Sequence, residues 1–313
     1  MRAVKDLRWV KSHKVAELVD AMGNLGFQSI ELCKAAETTI KMKKAGAKII
    51  LTYTSNMVTS GLRGFFAQLI ELGIPDLIIT TVGGIEEDIM KAAGESFVIG
   101  SFEADDLALN EQGLNRIGNL YIKNESYCKF EDMIRPILEQ LYAMKNRWAV
   151  SEMLNEIGKM LNDNKSILYQ ASGRNVPIFC PAITDGAFGF HLYMFQQKHK
   201  DFVVDVVKDF EYILNEVSQD DKKGLIALGG GVSKHHAILA SLLSGGLDYA
   251  VYMTTSKEIS GSMGSATTRE AKSWGKVKDD SDVVTVIGDV TITFPLMMIK
   301  VLETLDREGL LNA

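Results

Sequence analysis

The stretch Gly224–His236, GLIALGGGVSKHH, decides the fold. Its core, LIAL, is apolar at consecutive positions, the mark of a strand buried on both faces rather than one that alternates between core and solvent. Three glycines then turn the chain, and the helical pattern HHAILASLLSGG (235–246) comes at once. A buried strand passing through a tight turn into a helix is the repeating step of a parallel sheet. Similar β-branched runs recur as AKIILTY (47–53), DLIITTV (76–82), SFVIG (96–100), VPIFC (176–180), DYAVYMTT (248–255) and VVTVIGD (283–289). Stretches with helical spacing alternate with them: GLRGFFAQLIELG (61–73), IEEDIMKAAG (85–94) and FPLMMIKVLETLDREG (294–309). The expected architecture is α/β, a Rossmann-like and mostly parallel sheet with helices on both faces. Residues 12–46 read as two helices, an N-terminal helical extension, and 101–135 as loops around a short hairpin or helix near the sheet's edge.

The chain has 313 residues, 46% hydrophobic and 24% charged, which suits a soluble globular protein. A formal net charge of -6 offers no basic excess to neutralise phosphates, so nucleic acid and anionic membrane are not expected partners. Cys33, Cys128 and Cys180 stand alone, without the spacing of a disulfide framework or a metal site, and a reducing, cytoplasmic location is expected. The opening MRAVKDLRWVKSH lacks the apolar segment of a secretion signal, and no run of about 18 apolar residues suggests a membrane span.

Three junctions place glycine between a strand and a helix: TTVGGIEED (80–88), PAITDGAFGF (181–190) and LGGGVSKHH (228–236). Glycine allows close approach of backbone to a ligand, the following helix offers unpaired N–H groups to an anion, and ligands of open parallel sheets bind at these carboxyl ends. None is a GxGxxG, so Gly83, Gly84 and Gly229–Gly231 also read as plain tight turns. Glu86, Glu87 and Asp88 are placed in a helix's first turn, as offsets to its dipole or as partners of ribose hydroxyls or amines. Asp185 reads as an Asp-Gly turn and Asp289 as the N-cap of the last helix. His235 and His236 point to different helix faces, poor metal geometry, so they read either as surface or capping histidines or, for the one turned into the site, as a base near neutral pH. In EAKSWGK (270–276), Lys276 is either a surface lysine or an amine made nucleophilic by burial, with Trp274 as the aromatic wall that would also hold an alkylammonium.

Taken together, YTSNMVTSG (53–61), TTVGGIEED, PAITDGAFG, LGGGVSKHH, DYAVYMTTSKE (248–258) and EAKSWGK resemble the deoxyhypusine synthase family, in that family's order and across most of the chain. The resemblance implies a single domain over 1–313, with an N-terminal helical segment (1–46) and an NAD-binding α/β core (47–313). It implies NAD-dependent transfer of the 4-aminobutyl group of spermidine to a lysine of the hypusine-carrying translation initiation factor precursor, by a homotetramer. By the same carry-over Lys276 forms the covalent imine and His235 is the base. Glu86, Tyr252, Gly261, Ser262, Glu270 and Trp274 bind the amine. Ser55, Asn56, Thr59, Thr81, Gly83, Glu87, Asp185, Gly230, Thr255, Gly288 and Asp289 fall on NAD positions.

The sequence departs from the family in four places. Phe190 and Met263 stand where the eukaryotic members carry amine-binding acids, Ser260 where an aspartate meets the cofactor, and Leu239 where an asparagine does. The first two motivate an alternative, a homospermidine synthase-like aminobutyltransferase acting on a small amine. A non-catalytic paralogue that pairs with an active subunit is a third reading, disfavoured because Lys276, His235 and Trp274 are all kept.

Overall fold

A computed structural model describes residues 3–217 and 221–311. The chain forms two compact units, one of Met1–Tyr53, Leu72–Ile79 and Glu211–Ala313, the other of Thr54–Glu71 and Thr80–Phe210.

In the first unit five strands run parallel, in the order Val277–Ile287, Leu247–Thr254, Lys223–Leu228, Lys48–Thr52, Leu77–Ile79. Every residue from Lys223 to Leu228 is buried, so the sheet is covered on both faces, as the LIAL run required. Ile49, Ile50, Leu51, Leu225 and Ile226 are at most 2% exposed. Each such side chain is worth about 1.5–3 kcal/mol relative to leaving it in water. Ile50 lies opposite both Leu77 and Leu225, and Tyr252 opposite Ala227, a register that brings the carboxyl ends of the central strands out side by side. The Gln28–Lys44 and Val290–Arg307 helices pack on each other and on the sheet. Gly224 admits the Met42 thioether from that side, since a Cβ there would lie 2.7 Å from its Sδ. The Gly231–Leu243 helix packs on the same strands. The two helices expected within 12–46 are Val15–Met22 and Gln28–Lys44.

The second unit is mainly helical. Its long helix Asn124–Met144 buries Phe130, Ile134, Leu138 and Leu141, with Phe130 set edge-on against Phe188 at 6.3 Å. Arg147–Ala149 and Val203–Asp205 form a short parallel pair. The SFVIG run does not join a parallel sheet: only Val98 and Ile99 are strand, both exposed, and they pair antiparallel with Leu120–Lys123. β-branched composition marks a strand but says nothing of its partner, which here is the hairpin Leu114–Ile117 and Leu120–Lys123 inside the segment read as an insertion. The VPIFC run is reduced to Ile178–Phe179. Among the described residues no helix is long and apolar enough to cross a membrane.

Candidate active site

In the first unit, the Lys223–Leu228 strand ends at Gly229, whose N–H donates to the Met253 carbonyl at 2.8 Å. Gly229 and Gly231 have φ of 81° and 73°, which side chains with a Cβ rarely adopt. Gly230 between them is pressed against the backbone of the neighbouring loop: a Cβ on it would lie 2.2 Å from the Gly264 Cα. No side chain caps the helix that follows, so its first N–H groups are without a side-chain acceptor from the N-cap.

Lys234, three residues into that helix, is 1% exposed. Its Nζ donates to the carbonyls of Met263 at 3.1 Å and Ala266 at 2.7 Å, and lies 4.1 Å from the centre of the Tyr252 ring. Burial pushes its pKa down to about 8, with the Lys276 charge acting in the same direction and Glu270 opposing. The Tyr252 hydroxyl is buried with no hydrogen-bond partner among the described residues, and burial raises its pKa. An unpartnered buried hydroxyl costs about 1–3 kcal/mol, so it is a natural place for a polar ligand atom.

Lys276 reaches the same cleft from the other side. The short helix Thr268–Ser273 is capped by the Thr267 hydroxyl, ends on Trp274, and turns at Gly275 with φ 67°. The Lys276 N–H closes the turn on the Ala271 carbonyl at 3.1 Å. Its Nζ then lies 4.8 Å from the Trp274 ring centre. Lys276 is half-buried and Trp274 is 64% exposed, so the indole forms one wall of an amine site that is open on the far side. Tyr252, Glu270, Trp274 and Lys276, four of the expected site residues, line this cleft together with Lys234 and Met263.

His235 is exposed and does not line the cleft, while burial and the neighbouring His235 lower the pKa of His236. Gly261 turns the chain at φ 60°, and Ser262 Oγ pairs with Ser260 Oγ at 2.9 Å on an exposed loop. Thr255 is exposed just past the end of its strand. The Gly288 N–H donates to the Thr254 carbonyl at 3.0 Å, and Asp289 caps the last helix by accepting from the Thr291 N–H at 2.8 Å.

The other expected positions belong to the second unit. The helix there spans Val82–Ala92 with Thr81 as N-cap, so it starts before the two glycines. Glu86, Glu87 and Asp88 are therefore one turn deeper than a first-turn reading places them, and all are buried. Glu86 accepts from the Phe188 N–H at 3.0 Å at the start of the Ala187–Lys198 helix; burial raises its pKa against this and the Ala187 N–H. A Cβ on Gly186 would lie 2.8 Å from its carboxylate. Glu87 accepts from the Thr59 hydroxyl at 2.6 Å, and burial pushes its pKa up to about 7 against Thr59 and Lys91. Asp88 is bound by Arg63, by the Ser166 hydroxyl at 2.9 Å and by the Leu168 N–H at 2.8 Å, a structural rather than a ligand role. Ser55 N–H donates to the Thr81 hydroxyl at 3.1 Å, and a Cβ on Gly83 would lie 2.7 Å from that of Ser55. Asn56 is exposed and accepts from the Thr54 hydroxyl. Asp185 is exposed in the turn before Gly186, and Phe190 is 57% exposed on the helix beyond it.

Lys234 was not among the residues singled out from the sequence. The signal was available: Lys234, Ala237, Ile238 and Ser241 recur at helical spacing and form the buried face of their helix.

An NAD-type dinucleotide fits this chemistry. The glycine turn leaves open space where a Cβ on Gly231 would sit, and the uncapped N–H groups after it suit a pyrophosphate. Carboxylates and hydroxyls at these strand ends are donors and acceptors for ribose.

The sheet is Rossmann-like and parallel, and one cleft of the first unit gathers Lys234, Lys276, Tyr252 and Trp274. The deoxyhypusine synthase family model matches residues 17–301, and the chain belongs to that family. It is 40% identical over 301 residues to a protein of Aeropyrum pernix assigned to deoxyhypusine synthase, covering 95% of this chain and 97% of that one. It is 39% identical over 301 residues to a likewise assigned protein of Schizosaccharomyces pombe, covering 91% of this chain and 86% of the other. Among solved structures, one assigned to deoxyhypusine synthase of Entamoeba histolytica aligns with a TM-score of 0.68 at 26% identity, over 96% of this chain and 97% of that one.

Proposed function

We propose that this chain transfers the 4-aminobutyl group of spermidine, with NAD, to a lysine of the precursor of the hypusine-carrying translation initiation factor, and that it works as a cytoplasmic homotetramer. The observation that carries the reading is the Lys276 Nζ 4.8 Å from the Trp274 ring centre, in one cleft with Tyr252 and Glu270. Within the first unit Gly230, Thr255, Gly288 and Asp289 fall on the family's NAD positions; within the second, taken by itself, Ser55, Asn56, Thr59, Thr81, Gly83, Glu87 and Asp185 do so. NAD, when bound, supplies the hydride acceptor for the carbon beside the secondary amine and returns that hydride to the final imine.

The residues of this chain do the rest. Trp274 holds the alkylammonium by its ring face, Tyr252 offers a hydroxyl that is unpartnered among the described residues and Glu270 a carboxylate. His235, exposed on the helix after the glycine turn and outside the lining of the cleft, is the base that the family resemblance assigns to the proton leaving the amine during oxidation. The Lys276 amine adds to the resulting iminium carbon, 1,3-diaminopropane leaves, and the fragment stays on Lys276 as an imine. The acceptor lysine adds to that imine and displaces Lys276, restoring the enzyme.

The test is incubation with labelled spermidine, NAD and the factor precursor, followed by borohydride. The expected result is label on the precursor and a trapped adduct on Lys276, with Lys276→Ala losing both while still binding NAD. Label absent from the precursor and no adduct at Lys276 would overturn it. A second reading, transfer to a small amine, is favoured by Met263, which lines the cleft and stands where the resemblance places an amine-binding acid. Label found in a small product when putrescine replaces the precursor, and none in the precursor, would establish that alternative.

A further inference from the structure

The π-helical turn Val58–Leu62, just after Ser55 and Asn56, is clamped from one side by the Val82–Ala92 helix. A π turn reaches back one residue further than an α turn, so its carbonyls leave the ordinary ladder and such turns are infrequent without outside support. Gly61 inside it is non-helical, at φ 104°. Contacts descend the neighbouring helix from 81 and 83 to 87 and 91, the last two steps about one turn each. The Thr81 hydroxyl accepts from Ser55 N–H, Gly83 leaves room for the Ser55 Cβ, Glu87 accepts from Thr59, and Lys91 reaches the turn's own carbonyls. The Lys91 Nζ is 2.5 Å from the Val58 oxygen and 3.4 Å from that of Thr59, with the Phe97 ring 5.1 Å away on its flank.

We propose that Lys91 is a positioning residue for the cofactor: its ammonium fastens the Val58 and Thr59 carbonyls and so fixes the turn that presents Ser55, Asn56 and Thr59 to the dinucleotide. The inference rests on the NAD role proposed above for those residues. A methylene chain of the same length would fill the space of Lys91 but leave both carbonyls without their charged donor. Lys91 is itself half-buried, with its pKa lowered by that burial against the Glu87 charge. It also acts on Glu87, whose ionised form it favours. The charged and titratable groups around the pair are Glu86 and Asp88 on the same helix, Arg63 on the helix after the turn, and Tyr127, whose phenol has its pKa raised by burial and by Glu86 and Glu87.

The test measures NAD binding by calorimetry from acid to alkaline pH, with turnover at saturating NAD, for the wild-type protein, Lys91→Met and Lys91→Arg. Lys91→Met is expected to weaken NAD by roughly 10-fold or more, the effect of losing a charged hydrogen bond. Its kcat at saturating NAD is expected to stay within about threefold of wild type, the split that marks lost ground-state binding. The pH midpoint of NAD binding should move upward in Lys91→Met, because Glu87 loses the cation that favours its carboxylate, and Lys91→Arg should restore both affinity and midpoint. NAD affinity in Lys91→Met within about twofold of wild type, or an unmoved midpoint, overturns the proposal, since a lost charged hydrogen bond is worth roughly 10-fold or more. If Lys91→Met does not fold, Lys91→Gln, which keeps one neutral donor, takes its place with an intermediate loss expected and the same overturning result. A wild-type protein that binds no NAD would remove the cofactor assignment and this role with it, whereas a wild type that binds NAD beside an equally competent Lys91→Met removes this role alone.

Discussion

Two stretches of this chain carry one signature, an apolar run followed by glycines and then polar residues: 77–88 and 225–236. In the first the helix starts at Val82, ahead of the glycines, and neither Gly83 nor Gly84 adopts a positive φ. Glycine there serves close packing, and the acids beyond it are turned inward and occupied, Glu86 on a helix start, Glu87 on Thr59 and Asp88 on Arg63. In the second Gly229 and Gly230 precede the helix and Gly231 opens it, and Gly229 and Gly231 take positive φ, so the glycines turn the chain. The polar residues after this turn stay near the ligand edge, His235 exposed and Lys234 reaching across to the 263–266 backbone. The signature therefore marks a junction, and where the helix begins relative to the glycines decides whether the junction is a clamp or an opening.

If the first junction is a clamp, removing its central cation has the largest effect. Arg63 is 8% exposed at its side chain and bridges Asp88 and Asp163. Arg63→Met leaves the Asp88 carboxylate buried with neutral donors only, which is expected to cost about 3–5 kcal/mol in urea unfolding at neutral pH. His235→Ala at the exposed junction should change stability by no more than about 0.5 kcal/mol. Equal losses at the two positions would erase the contrast.

The charges buried at the two junctions also respond to pH with opposite sign. Lys234 titrates near 8 in the folded chain against an ordinary 10.5, so between these values the unfolded chain holds more protons and stability rises with pH. Its cost is fully present below pH 8 and is relieved toward pH 10.5, a change of at most about 3 kcal/mol that Lys234→Met should remove. Glu87 titrates near 7 against 4.5, so its cost is present above pH 7 and is relieved as pH falls toward 4.5. Glu87→Gln should flatten that acid limb and leave the alkaline one alone. Unfolding free energies measured across pH for the two variants check this; a Lys234→Met curve parallel to wild type above pH 8 would show that the amine is not confined in the fold.

The sequence made the central strands plain because LIAL and KIILT state their burial locally, through consecutive apolar residues. SFVIG was misplaced because a strand's partner is set by a segment 20 or so residues away, here Leu120–Lys123, on which β-branching is silent. The Lys276–Trp274 pair was readable because the two sit two residues apart across a glycine turn. Lys234 was not, since a lysine is taken as solvent-facing until its helix face is worked out, and the depth of Glu86–Asp88 depended on a helix start that glycine hides. The widened turn at Val58–Leu62 left no mark in composition at all; only Gly61 hints at it.

The smallest expected effect tests the clamp at its tightest point. By helix propensity alone, Gly83→Ala inside the Val82–Ala92 helix should stabilise by about 1 kcal/mol. The added Cβ, however, would sit 2.7 Å from the Ser55 Cβ and 3.0 Å from its Oγ, and the Ser55 backbone is held by Thr81, so it has little room to retreat. Overpacking of this kind costs about 1–3 kcal/mol, leaving a net loss of roughly 0–2 kcal/mol. Ser55→Gly should convert that loss into the propensity gain, so a double-mutant cycle is expected to return a coupling of about 0.5–3 kcal/mol. A cycle with no coupling would mean that Gly83 is an ordinary helical glycine and that the two junctions differ in outline but not in use.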